Sequence, residues 1–212
     1  MRKGVKIIVV GIVGKIASGK STVCSYIERI RKEVLILDLD KIAKEIYCEN
    51  EKVVQELKYL FGKEIIGQKN KIKFKILARK VFSNQEELKK LNKTMFPLIR
   101  EKVRKIIGTS SKKNYVVIDA AILFDCNLHL LCDHIIHVKA ERNKRKKFLR
   151  NKNKDMSEED INMRLDGQHL KINNSLVSYV IENNGSKINL YKKVKSVLDK
   201  IENSGNAIQD KQ

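Results

Sequence analysis

The feature that most restricts what this chain can fold into is the run IIVVGIVGKIASGKS, Ile7 to Ser21. Ile7 to Gly14 is a short apolar stretch rich in β-branched residues and closed by glycine. It reads as a strand buried inside a parallel sheet. Gly14 to Ser21 then spells G-x-x-x-x-G-K-S. From Lys20 to Arg31, Val23, Ile27 and Ile30 recur at helical spacing. Strand, glycine-spaced loop and helix form the context in which this pattern becomes a phosphate-holding P-loop. The glycines let consecutive N–H groups curl inward around phosphate oxygens. The helix N-terminus adds partial positive charge. The candidates for holding a triphosphate are Gly14, Lys15, Ile16, Ala17, Ser18, Gly19, Lys20, Ser21 and Thr22. Lys20 supplies a point charge to the β and γ phosphates, and Ser21 offers its hydroxyl to Mg²⁺. A P-loop alone does not separate a kinase from an ATPase or a GTPase. The fragment NKNKD, Asn151 to Asp155, misses the N-K-x-D of a guanine reader and lies in a charged helical region.

Four further short apolar runs read as strands: Val34–Asp38, Tyr115–Asp119, Ile135–Val138 and Val177–Glu182. Their alternation with helical segments predicts an α/β fold, a parallel five-stranded sheet flanked by helices. Two stretches break the alternation. Residues 50–107 are helical almost throughout, interrupted near Gly62, Gly67 and Pro97, and read as a helical insertion. Residues 141–176 are helical, strongly charged and poor in apolar side chains, and read as a lid. The expectation is one domain over 1–212, with a core of about 5–49, 108–140 and 177–202. A closing helix spans Lys187–Ile201, and residues 203–212 read as a loose tail.

Lys and Arg number 45 against 25 Asp and Glu, a net charge of +20. The lysines are scattered, with no basic stripe interleaved with aromatics, so no specific nucleic acid is expected as a partner. Cys24, Cys48, Cys126 and Cys132 show no C-x-x-C spacing and follow no secretory signal, which suits a reduced cytoplasmic protein. The apolar start is too short to span a membrane. Nothing fixes the oligomeric state. His134 and His137 fall on opposite faces of a strand without further ligands nearby, and read as structural.

The second strand ends LDLD. Asp38 and Asp40 are two apart, so in extended chain they point the same way. The carboxyl ends of parallel strands line the ligand crevice, so one carboxylate is placed to take a proton and the other to hold Mg²⁺ through water. The plainer possibility is that Asp40 caps a helix starting at Lys41. Asp119, ending the third strand, is a further candidate beside Mg²⁺. In the charged segment Arg142, Arg145, Arg150 and Arg164 are candidates to cover a phosphate. Arg164 and Gln168 share a helix face, and Ser157 followed by Glu158, Glu159 and Asp160 marks that helix's start.

These residues together resemble the dephospho-CoA kinase family. After the loop, its D-x-D-x-x-A-R is similar to Asp38-Leu39-Asp40-Lys41-Ile42-Ala43-Lys44. Its histidine-proline pair with L-[IV]-[RK] corresponds to Phe96-Pro97-Leu98-Ile99-Arg100. Its D-x-P-L-L-[FY]-E corresponds to Asp119 through Asp125, its R-[IL]-x-x-Q to Arg164 through Gln168, and its V-I-[DE]-N-x-G to Val180 through Gly185. The chain departs from the pattern at Lys15, Ala17, Lys44, Phe96, Ala121 and Asp125. The resemblance implies a P-loop kinase fold with an acceptor-binding insertion and a lid. It implies phosphoryl transfer from ATP, with Mg²⁺, to the ribose 3′-hydroxyl of dephospho-CoA. It further implies Asp40 as general base, Lys20 as catalytic, Asn183 near the adenine of ATP, and lid arginines Arg145, Arg150 and Arg164. Asp38, Lys44, Phe96 and Arg100 would meet the acceptor. A nucleoside kinase and a nucleic-acid-binding ATPase are the alternatives.

Overall fold

The computed structural model describes residues 7–153, 155–167 and 170–209, the side chains of 205–209 excepted. It forms two compact units, one running to Leu37 and resuming at Ser110, the other Asp38–Thr109.

The first unit is built on the sheet. Strands β1 (Ile8–Val13), β2 (Val34–Asp38), β3 (Tyr115–Asp119), β4 (His134–Lys139) and β5 (Tyr179–Glu182) stand in the order β2-β3-β1-β4-β5. β1 pairs in parallel with β3 and β4, and β4 with β5. The phosphate-loop strand is thus the central one, flanked by strands that arrive much later in the chain. Helices α1 (Lys20–Ile30) and α8 (Lys187–Gln209) cover one face. There Val10, Ile12, Val117, Ile136 and Val138 pack with Val23, Ile27, Val194 and Leu198, all buried. The alternation of strand side chains sends Val9, Val13, Val116, Ile118 and Ile135 to the other face, also buried. Burial on both faces explains why these strands read as continuous apolar runs. Helices α6 (Arg142–Lys152) and α7 (Glu158–Asp166) form the charged hairpin.

The second unit is helical: α2 (Leu39–Glu49), α3 (Glu51–Phe61), α4 (Phe74–Phe82) and α5 (Gln85–Thr109). Its core includes Ile46, Leu57, Phe61, Leu77, Ile99 and Val103. The unit takes in α2, which the sequence pattern had assigned to the core. Lys102 of α5 ties it in place, bonding Glu45 at 3.0 Å and Glu49 at 2.7 Å. Asn50 caps α3 by accepting from the Val53 N–H, and Gly62, at φ 88°, stops that helix.

Three expectations are corrected. Pro97 does not break its helix, since α5 runs through it. Proline removes one N–H and costs roughly 3 kcal/mol in a helix interior. The buried stripe Met95, Ile99 and Val103 continues across the site and offsets that loss. The last helix does not end at Ile201 but reaches Gln209, inside the expected loose tail. Backbone i to i−4 bonds need no apolar side chain, and no proline interrupts them; Ser204 Oγ also donates to the Lys200 carbonyl at 2.7 Å. The fifth strand starts at Tyr179, because Asn174–Leu176 form a short 3₁₀ turn that Asn173 caps.

One polar cluster fastens α1, β3 and α8 together. Arg31, just past α1, donates from Nε and Nη2 to Glu202 at 2.7 and 2.9 Å and from Nη2 to Asp199 at 2.7 Å. The buried Tyr115 donates its hydroxyl to Glu202 at 2.7 Å, and burial first, then that carboxylate, hold its phenol protonated. Glu202→Ala removes the acceptor of the buried Tyr115 hydroxyl and of Arg31 Nε, leaving Arg31 only Asp199, and is expected to cost about 1–3 kcal/mol. Urea unfolding should show this as a lower midpoint with an unchanged slope.

Candidate functional site

Van der Waals contact shapes the loop between β1 and α1 before any ligand does. A methyl group on Gly14 would lie 2.4 Å from the Val138 carbonyl oxygen of β4, so only glycine lets the loop leave the sheet this closely. Ala17 and Gly19 then adopt left-handed backbone, at φ 59° and 100°. For alanine this costs roughly 1–2 kcal/mol. Ser18 N–H closes the turn on the Lys15 carbonyl at 3.0 Å. Lys20 Nζ donates to the Gly14 carbonyl at 3.0 Å, across the mouth of the curl. The Ser18 hydroxyl is buried inside the loop, and none of the described residues is its partner.

The loop is supported by the chain that follows β5. Asn183 is buried, with its Nδ2 donating to the Ser18 carbonyl at 2.9 Å and its N–H to Lys139 O at 2.7 Å. Its amide packs so tightly on Gly19 that a methyl there would sit 2.3 Å away. Lys144 of α6 donates to Asn183 Oδ1 at 3.4 Å and to the Gly185 carbonyl. Asn183 thus braces the loop through its amide, a contact the sequence did not suggest. Lys144 was not singled out from the sequence. It is one of seven Lys and Arg between residues 142 and 152, and nothing in the pattern distinguishes it.

At the other side of the loop stands a carboxylate. Ser21 Oγ donates to Asp119 Oδ2 at 3.4 Å, so these two candidates do meet. Behind them Cys24 is buried on α1, and burial, followed by the Asp119 charge and hydrogen bond, pushes its thiol far up. The Ser21 and Asp119 oxygens are a hard donor pair of the kind that holds Mg²⁺ together with phosphate oxygens and water. Thr22 is exposed at the start of α1. Among the described residues no group of three or more His, Cys, Asp and Glu is gathered to hold a metal. His137 is buried in β4, and burial, with Lys139 and Lys15 nearby, lowers its pKa.

The lid arginines divide. Arg145 is buried and points Nη1 at the Ile16 carbonyl of the loop, at 3.5 Å, while its buried Nε has no partner among the described residues. Arg150 pairs with Glu158 instead, alongside Lys146, and this triad clamps α6 to α7. Arg142 does the same through Asp166 at 2.7 Å. Arg164 is exposed and lines an open groove of about 710 Å³ at the hairpin turn, with Asp155 and Asp160. For Arg150 and Arg164, then, the expected contact with the loop is not found among the described residues. Gln168, the expected helix partner of Arg164, lies outside the described residues, and α7 ends at Asp166. Ser157 caps α7 as the sequence suggested, accepting from the Asp160 N–H at 3.1 Å.

In the second unit the two aspartates after β2 separate. Asp38 caps α2, its Oδ1 accepting from the Asp40 and Lys41 N–H groups at 3.0 and 3.2 Å. The helix therefore begins at Leu39, and the pair is not in the extended chain that would point both the same way. Asp40 sits in the first turn, exposed. Lys44 is exposed on α2. Phe96 and Arg100 lie one turn apart on α5, both half-buried.

The sequence profile described as dephospho-CoA kinase matches residues 8–189. The chain belongs to the dephospho-CoA kinase family. A dephospho-CoA kinase of Saccharomyces cerevisiae is 32% identical over 203 residues, 93% of this chain and 84% of the yeast protein. One of Borreliella burgdorferi is 35% identical over 134 residues, 63% of each chain. Among solved structures, TT1252 of Thermus thermophilus superposes with a TM-score of 0.74 at 28% identity, covering 92% of this chain and 97% of that one. A shikimate kinase of Acinetobacter baumannii, at 17% identity and a TM-score of 0.52 over 94% and 96% of the two chains, shares the fold.

Two outcomes follow from the loop geometry. Gly14→Ala forces a methyl against a backbone carbonyl and is expected to cost about 1–3 kcal/mol, read from urea unfolding, and to weaken nucleoside triphosphate binding. In the folded protein iodoacetamide at pH 8 should label the exposed Cys48 and spare the protonated, buried Cys24. Mass spectrometry of the labelled peptides checks this.

Proposed function

We propose that this chain transfers the γ-phosphoryl group of ATP to the ribose 3′-hydroxyl of dephospho-CoA, giving coenzyme A and ADP. The observation that carries the proposal is the family match from residue 8 to 189, laid over a loop whose curl, Lys20 and Ser21 are all in place. In the ground state Lys20 rests on the Gly14 carbonyl. Its ammonium shifts onto the β and γ oxygens when the triphosphate fills the curl. The loop N–H groups from Lys15 to Thr22 bind the same oxygens. Ser21, with Asp119 beside it, would hold Mg²⁺, which would supply charge neutralisation at the phosphates.

Asp40 takes the proton of the acceptor hydroxyl. The hydroxyl oxygen then bonds to the γ-phosphorus as the bond from that phosphorus to the β–γ bridging oxygen breaks, and ADP leaves. No hydrogen bond or ion pair within its own unit occupies the Asp40 carboxylate, whereas that of Asp38 is committed to the α2 backbone. Asp38, Lys44, Phe96 and Arg100 of the helical unit contact the acceptor. Residues 141–176 act as the lid, and Arg145 reaches the Ile16 carbonyl of the loop. Among the described residues no helix is long and apolar enough to cross a membrane, and all four cysteines are free, in keeping with a reaction in the cytoplasm.

A coupled ADP-release assay with Mg²⁺-ATP tests the proposal, with dephospho-CoA and uridine as competing acceptors. ADP should appear with dephospho-CoA alone. Asp40→Asn should lower kcat by about 10²- to 10⁴-fold and leave ATP affinity within about twofold of wild type. Turnover of uridine in place of dephospho-CoA would overturn the acceptor, and an Asp40→Asn variant of near wild-type kcat would overturn the base.

A further inference from the structure

We propose that Leu149, Ile161 and Leu165 are positioning residues of the donor site, which hold the phosphate loop in its ligand-ready curl before a nucleotide arrives. This rests on the reading of the loop as the ATP site. Between residues 141 and 176 the chain is dominated by charge, yet these three side chains are buried. Ile161 and Leu165 are one turn apart on α7 and share a face. Leu149 meets them from α6. The cluster they form is continued by Ile16 and Ala17, the apex of the phosphate loop, and by Met156.

Two observations converge on that apex. Ala17 holds a left-handed φ of 59°, which glycine would adopt without strain, and its methyl group is part of the seam. Burying that methyl compensates a strained backbone that an unsupported loop would relax. Arg145, itself buried, adds a polar stitch from Nη1 to the Ile16 carbonyl at 3.5 Å. On the loop's other flank Asn183 already fixes the Ser18 carbonyl. A loop gripped at Ser18 and at its apex keeps its N–H groups convergent without a ligand. Less ordering then opposes binding.

The test uses the full-length protein and four variants: Leu165→Ala, Ile16→Ala, the double variant, and Leu165→Met as the conservative control. Hydrogen exchange of the amides of residues 15–21 is followed without nucleotide, and ATP binding by calorimetry without acceptor. Each alanine variant should speed exchange across the loop and weaken ATP binding by about tenfold. The double variant should be little worse than either single, because both remove one shared contact. Leu165→Met should recover wild-type affinity to within about twofold. Should Leu165→Ala lose the hairpin's helices, Ile16→Ala carries the test, since it leaves the hairpin's own apolar residues intact. A folded variant pair with unchanged loop exchange, or strictly additive effects, would show that the seam serves only the hairpin and would overturn the proposal. Because no acceptor is present, a wrong acceptor assignment cannot produce either result. A wild-type protein that binds no ATP would instead overturn the reading of the loop itself.

Discussion

The close passage of Gly14 over the Val138 carbonyl is the contact on which the rest of the site depends. It demands a missing side chain at residue 14 and a strand, β4, directly beside β1. Only because β4 returns from residue 134 to lie there does the loop have a floor. The next strand out, β5, then delivers Asn183 to the underside of Ser18. On β1's other flank β3 delivers Asp119 to Ser21. One short loop is thus fixed by residues more than 90 positions away on two sides, which is what a central strand in a crossover sheet makes possible. The left-handed residues Ala17 and Gly19 are tolerated because those neighbours leave the loop no other path.

The chain's excess of positive charge is spent unevenly. In the α6–α7 hairpin Arg142, Lys146 and Arg150 are matched by Asp166 and Glu158, so they hold helix to helix. These pairs lie at the surface, where solvent screening leaves each of them little weight in stability. The hairpin's integrity therefore rests mainly on the apolar contacts of Leu149, Ile161 and Leu165. Arg145 is the exception among the hairpin arginines, buried and without a carboxylate partner. Burial, and Arg142 nearby, lower its pKa, but a guanidinium stays charged at any ordinary pH. Asp166 opposes that shift without a hydrogen bond to Arg145, so the guanidinium is held beside the loop mainly by packing and by its contact with the Ile16 carbonyl.

The sheet was legible in the sequence because central strands buried on both faces are apolar at nearly every position, so IVVGIV and YVVID announce themselves. The Ser157 cap was legible for an equally local reason, a hydroxyl three residues before an acid. What the sequence hid was set by tertiary partners. Nothing in LDLD says that Asp38 turns back to cap α2; Leu39, buried in the helix, decides it. Nothing local says that α5 survives Pro97, because the stripe that stabilises it packs against other helices. Arg150 and Arg164 were indistinguishable from Arg145 as sequence. Only the packing of the hairpin turned one toward the loop and paired or exposed the others. The signal for the seam was present but faint: Ile161 and Leu165, four apart on a charged helix, have to be covered by something.

The separation of Asp38 from Asp40 bears on how the proposed chemistry is built. Two carboxylates converging on one hydroxyl would repel each other, and one would be driven to hold a proton. Here the helix start removes that conflict. Asp38 accepts two backbone N–H bonds and fixes where α2 begins, and through that it fixes where Asp40 stands. Asp40, one turn position further and exposed, stays open to an acceptor's hydroxyl. In the proposed reaction this D-x-D at a strand-to-helix junction would supply a base and its mount, and the two aspartates are not interchangeable even though they are chemically identical.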